Sequence, residues 1–83
     1  MKKSNSIYML SDLRVGQKAK IVSLKEKNKE IKRHLLDMGL TKGTEVSIKK
    51  IAPMGDPIDI KIREYELCIA KKNLENIEVE VTK

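Results

Sequence analysis

The stretch KRHLLDMGLTKG at residues 32–43 predicts a short helix that stops at a glycine. Ile31, Leu35 and Met38 repeat at the i, i+4, i+7 spacing of a single helix face. We therefore expect a helix over about residues 29–38, with this apolar stripe turned toward a core.

A glycine ends this helix, and a second turn follows further along the chain. Gly39 lies where a residue in the left-handed conformation commonly ends a helix. Leu40 can then pack back on Leu35, as in a Schellman motif. The run APMGDP at residues 52–57 carries two prolines and a glycine, which predicts a turn between two strands.

Five segments alternate between apolar and polar residues, which is typical of strands with one buried face. They span about residues 18–24, 44–51, 57–63, 65–70 and 77–81. In the first of them the alternation changes phase after Ile21, which predicts a β-bulge. Five short strands and one short helix predict a mainly β fold, a small and partly open barrel. Alternation alone does not distinguish an SH3-like barrel from an OB-type one.

Length and composition limit the chain to one small domain. At 83 residues it is near the lower size at which a core forms unaided. We expect residues 1–7 to be a flexible N-terminal segment and residues 8–83 to form the barrel. The lone Cys68 excludes an intramolecular disulfide and fits a reducing compartment. Because no apolar run approaches about 20 residues, we expect a soluble, cytoplasmic protein.

The positive charge is concentrated in the first part of the chain. Residues 1–50 carry 13 Lys and Arg against 5 Asp and Glu, a net charge of +8. Residues 51–83 carry 5 against 7, a net charge of −2. A basic half of this kind is compatible with nucleic acid, an anionic membrane or an acidic protein partner, and also with an ordinary solvated surface.

Glu30, His34 and Asp37 are the candidate metal ligands. Their i, i+4, i+7 spacing places them on one flank of the predicted helix. An imidazole with two carboxylates suits a ferrous ion. The alternative, which we favour, is an exposed flank with helix-spaced charge pairs. We expect no metal site and no cofactor.

Two apolar residues outside the core pattern are candidates for partner binding. Leu36 lies off the apolar stripe of the helix, and Met54 lies at the tip of the second turn. Arg33, Lys49 and Lys50 would surround them with positive charge. Cys68 has no histidine near it in sequence, and with one His and one Cys in the chain we expect no enzyme.

The helix–glycine motif and the 52–57 turn, in this order and spacing, resemble the FeoA family. These are small cytosolic accessories of the bacterial ferrous iron transporter FeoB, and the resemblance covers about residues 8–81. It implies an SH3-like β-barrel that docks on the cytoplasmic part of FeoB, whose GTPase domain would be the regulated element. The membrane would be reached only through the transporter. FeoA-like sequences commonly have a glycine where this chain has Arg-Glu-Tyr at residues 63–65, so no function of that turn is carried over.

Two alternatives to transporter binding remain. A small basic barrel can bind RNA, but aromatic side chains usually contribute by stacking, and this chain has two tyrosines with no Trp or Phe. The second alternative is a metal-responsive regulatory module, because the C-terminal domains of iron-dependent repressors resemble FeoA in fold. This chain has no helix-turn-helix. The leading prediction is binding to an FeoB-like transporter, with no nucleic acid.

Overall fold

A six-stranded antiparallel sheet dominates the computed structural model, which describes residues 5–82. Its strands are β1 (Asn5–Met9), β2 (Lys18–Leu24), β3 (Glu45–Ile51), β4 (Ile58–Ile62), β5 (Tyr65–Ile69) and β6 (Ile77–Thr82). The described helices are α1 (Lys29–Asp37), α2 (Lys71–Leu74) and a 3-10 turn at Leu10–Asp12. The order β1-β6-β2-β3-β4-β5 leaves β1 and β5 at the edges of an open sheet.

The sheet has one strand more than the five that the sequence predicts. β1 begins at Asn5 and pairs with β6, so residues 5–7, which were expected to be flexible, belong to the sheet. Residues 1–4 lie outside the described part of the chain. The bulge predicted in β2 is confirmed, because the register with β6 shifts between Ile21 and Ser23. A second shift, between Ile48 and Lys50 of β3, was not predicted.

The buried core is almost entirely aliphatic. In β4, for example, Ile58, Ile60 and Ile62 are all at most 2% exposed, so every second residue of the strand faces inward. The one polar residue among the described buried side chains is Thr44, whose hydroxyl lies 2.9 Å from that of Thr41. This hydrogen bond satisfies a polar group that would otherwise destabilise the core.

Helix α1 packs on this core through the predicted stripe. Leu35 is fully buried, and Ile31 and Met38 are partly buried against the core cluster. The helix begins at Asn28, whose side chain accepts hydrogen bonds from the backbone N–H groups of Glu30 and Ile31. This capping satisfies donors that have no partner inside the helix.

The end of α1 is a Schellman motif, as the sequence predicts. Gly39 has a φ of +100°, and the N–H of Leu40 donates to the carbonyl of Leu35 over 3.1 Å. The N–H of Gly39 donates to the carbonyl of Leu36 over 2.9 Å. These two bonds satisfy the last helical carbonyls and turn the chain toward β3.

Candidate functional site

Tyr65 attaches the end of α1 to the beginning of β5. Its hydroxyl donates a hydrogen bond to the carbonyl of Met38. A Cβ atom on Gly39 would lie 2.6 Å from the same hydroxyl. Position 39 therefore needs glycine for two reasons, the positive φ and the close approach of Tyr65.

The turn that carries Tyr65 is a tight hairpin without glycine. Ile62 of β4 pairs directly with Tyr65 of β5, so only Arg63 and Glu64 connect the two strands. Arg63 has a φ of 53°, a backbone conformation that a non-glycine residue seldom adopts. The hydrogen bond of the neighbouring Tyr65 to α1 supports this turn.

The second turn, between β3 and β4, is also held in place. The N–H of Gly55 donates to the carbonyl of Ala52 over 2.7 Å, and the peptide bond before Pro57 is cis. The carboxylate of Asp56 accepts a hydrogen bond from the backbone N–H of Lys71 over 2.7 Å, at the first turn of α2. This contact fixes the turn to α2 and leaves Met54 at its tip.

The structure separates the two apolar candidates for partner binding. Met54, 93% exposed, lies beyond the Ile51–Ile58 pair at the beginning of β4, whereas Leu36, 39% exposed, lies on α1. The end of α1 is held by Tyr65, at the other end of β4. The five residues of β4 span about 13 Å. Leu36 and Met54 thus lie toward opposite ends of β4 rather than side by side.

The three basic candidates are all exposed, but they differ in their surroundings. Arg33 accompanies Leu36 on α1, while Lys49 and Lys50 precede the turn of Met54. The ammonium of Lys49 lies 3.5 Å from the carboxylate of Glu66. Because both side chains of this pair are about half exposed, it contributes little stability, but it partly neutralises Lys49.

The three candidate metal ligands lie exposed on α1. Within residues 5–82, no three His, Cys, Asp or Glu side chains come together in a group that could hold a metal ion.

Cys68 is an exposed thiol on the edge strand β5, where its register partner on β4 is Asp59. A hydrogen bond from the thiol to the Asp59 carboxylate is the main cause that raises the pKa of Cys68 above its ordinary value. The negative charges of Asp59 and Asp56 act in the same direction. A raised pKa keeps the sulfur protonated, which disfavours both nucleophilic attack and metal binding.

A family model described as the FeoA domain matches residues 8–81, nearly the whole chain. The chain belongs to the FeoA family. This confirms the resemblance seen in the helix–glycine motif and the 52–57 turn. In the FeoA domain of this chain, the helix–glycine motif forms the end of α1, and the second motif forms the turn between β3 and β4.

Three proteins of known sequence or structure show how similar this FeoA domain is to its relatives. The Fe(2+) transport protein A/Fe(2+) transporter FeoB fusion protein of Porphyromonas gingivalis is 32% identical over 72 residues, which are 87% of this chain and 8% of that protein. This chain therefore spans only a small part of that relative. An FeoA-like protein from Clostridium acetobutylicum is 36% identical, with a TM-score of 0.82 over 98% of this chain and 90% of its own.

The third relative bears on the fold class. A zinc complex of Stenotrophomonas maltophilia FeoA, described as a prokaryotic SH3 domain protein, is 25% identical. The two structures superpose with a TM-score of 0.74 over 84% of this chain and 86% of the other. The predicted SH3-like class of this FeoA domain is confirmed, with six strands in place of five.

Two residues that organise the FeoA domain were not found from the sequence. Tyr65 binds the end of α1, and Asp56 accepts the first backbone N–H of α2, each through a contact with a distant part of the chain. The requirement for glycine at position 39 was visible, but its contact with Tyr65 was not. No helix within residues 5–82 is long and apolar enough to cross a membrane.

Proposed function

We propose that this protein is a small cytosolic accessory of bacterial ferrous iron uptake that binds the cytoplasmic, GTPase-containing part of an FeoB-like transporter. The observation that carries the proposal is the fusion protein of P. gingivalis, in which a relative of this chain and FeoB share one polypeptide. Fusion keeps two domains at a high effective concentration, which favours a direct contact between them. The protein acts by binding, without a cofactor, and reaches the membrane only through the transporter.

The contact uses apolar anchors within a basic surface. Met54 and Leu36 are the exposed apolar side chains that we assign as anchors, since buried apolar residues supply much of the energy of an interface. Because they lie toward opposite ends of β4, each anchors a separate part of the contact. A partner that engages both must extend along the sheet.

Positive charge guides the approach of the partner. Arg33 and Lys50 are the principal steering residues, and Lys49 contributes less because Glu66 lies beside it. Charges at the rim of an interface act mainly on the rate of association. The transporter surface that this protein contacts should accordingly be acidic.

Binding kinetics with the purified cytoplasmic part of the transporter test this assignment. Leu36→Ser or Met54→Ser should weaken binding mainly by faster dissociation, because the anchor is lost from the bound state. Lys49→Glu combined with Lys50→Glu should instead slow association and reduce its dependence on salt.

A matched control separates specific contacts from net charge. Lys72→Glu reverses one charge on α2, outside the proposed surface, and should leave both rates nearly unchanged, whereas Lys50→Glu alone reverses one charge within that surface and should slow association. None of these exposed substitutions should alter the free energy of unfolding by more than about 0.5 kcal/mol. If binding survives all the substitutions at Leu36, Met54, Lys49 and Lys50 in folded protein, the surface is wrong.

A further inference from the structure

A pocket opens on the outward face of the sheet, and none of the proposed partner-binding residues lines it. It has a volume of about 330 Å³ and lies across β2, β3 and β4. Three cationic side chains line it, those of Lys18, Lys61 and Arg63. Ser47 and Glu45 of β3 also line it.

The register of the three strands explains why the surface is concave here. Ser47 of β3 pairs with Lys18 on one side and with Lys61 on the other. Adjacent strands are about 4.8 Å apart, so one short side chain stands between two long ones. The neighbouring strand residues Ala19, Val46 and Ile62 are buried, which turns the Lys18–Ser47–Lys61 row outward. The dip above Ser47 is the floor of the pocket.

The charges around this floor favour an anion. Three cations of the lining face one lining carboxylate, Glu45. A second carboxylate, that of Glu66 on β5, lies opposite Lys61 but forms an ion pair with Lys49. The pocket is therefore positive, and its Ser47 hydroxyl can donate a hydrogen bond.

The number and kind of cations favour a phosphate over a carboxylate. A guanidinium such as that of Arg63 can bind two oxygens of either group, but a phosphate monoester carries nearly two negative charges and three terminal oxygens. Lys18 and Lys61, on either side of Ser47, supply point charges for the additional oxygens. The volume falls in the range of about 300–1,000 Å³ that is typical of small-molecule sites.

We propose that this pocket binds the phosphate group of a small soluble phosphate monoester. The ester oxygen would point out of the mouth of the pocket, and the phosphate would lie over Ser47 between the two lysines. None of the residues assigned to transporter binding lines the pocket, so this site and that surface can be tested separately.

Titration with glycerol 3-phosphate, followed by backbone amide chemical shifts, tests the proposal. Saturable shifts are expected at Ser47, Lys61 and Arg63. Lys18→Gln should weaken binding by about tenfold, because a charge-assisted hydrogen bond is lost. Lys27→Gln is the matched control: it removes the same charge from an exposed residue of the loop between β2 and α1, outside the pocket, and should change the affinity by less than about twofold.

A second variant tests the shape of the pocket. Ser47→Val keeps all three cations, suits a strand, and fills the floor, so it should abolish binding. Unchanged affinity in Ser47→Val, or equal losses in Lys18→Gln and Lys27→Gln, would mean a diffuse attraction to a basic surface and would overturn the site. Tighter binding of citrate than of glycerol 3-phosphate at equal ionic strength would overturn the assignment to phosphate and indicate a carboxylate, as in an acidic peptide.

Discussion

Replacing Gly39 by alanine tests the way α1 is joined to the sheet. The substitution adds one Cβ atom at a residue whose φ is +100°. That atom would lie 2.6 Å from the hydroxyl of Tyr65, too close for both to keep their positions. The tyrosine must move, and its hydrogen bond to the carbonyl of Met38 is then lost.

The expected loss of stability is the sum of two costs. An L-residue held in the left-handed region costs about 1–2 kcal/mol relative to glycine. The lost hydrogen bond of Tyr65 costs about 0.5–1.5 kcal/mol. Gly39→Ala should therefore lower the free energy of unfolding by about 1.5–3.5 kcal/mol.

Urea denaturation of a double-mutant cycle separates the two costs. In a Tyr65→Phe background the hydroxyl is absent, so Gly39→Ala should cost only the backbone strain, and a coupling of about 0.5–1.5 kcal/mol should appear. Gly43→Ala is the matched control, because Gly43 has a φ of +87° and open space where a Cβ would be. Gly43→Ala should therefore lower the free energy of unfolding by the cost of the backbone strain alone. An unchanged midpoint in Gly39→Ala, or zero coupling with Tyr65→Phe, would refute this description of the helix end.

Three further predictions concern the core, metal binding and the thiol. Leu35→Ala should cost about 2–5 kcal/mol, measured by denaturation, since Leu35 is fully buried; a cost near 0.5 kcal/mol would show that the helix face is wrong. Stoichiometric Fe²⁺ or Zn²⁺ should change the Tm little, and a large rise that the Glu30→Gln/His34→Ala double variant abolishes would contradict this. Asp59→Asn should lower the pKa of Cys68. At a fixed pH below that pKa the thiolate fraction limits the reaction of Cys68 with iodoacetamide, so the variant should react faster. An unchanged rate would show that Asp59 does not control the thiol.

Local patterns in the sequence predicted most of the fold. The Ile31–Leu35–Met38 stripe and Gly39 carried enough local information to place α1 and its ending, because helix periodicity and capping depend on neighbours in the chain. The alternation of β2 to β6 likewise predicted the strands, and the phase change after Ile21 predicted the bulge.

The elements that were missed depend on distant contacts. β1 is stabilised by pairing with β6. Even the register pair that is nearest in sequence, Met9 with Glu78, is separated by more than 60 residues. The four-residue α2 begins where Asp56, fifteen residues earlier, accepts the N–H of Lys71. Neither partner is visible in a local pattern.

The arrangement of the candidate surface was also beyond local reasoning. Exposure of Leu36 and Met54 follows from their places in the helix and turn, and both are exposed in the structure. Their separation along β4 depends on the contact between Tyr65 and α1, which joins segments 27 residues apart. The pocket above Ser47 depends on the register of three strands, which spacing along the chain does not specify.

The most direct test of the central claim is a calorimetric titration of this protein into the cytoplasmic, GTPase-containing part of the FeoB-like transporter from the same cell. A parallel titration into single-stranded RNA of random sequence, in the same buffer and at physiological salt, supplies the comparison. We expect saturable binding to the transporter domain that Met54→Ser weakens, and negligible binding to RNA. Absence of binding to the transporter domain, with salt-sensitive binding to RNA in its place, would contradict the proposed function.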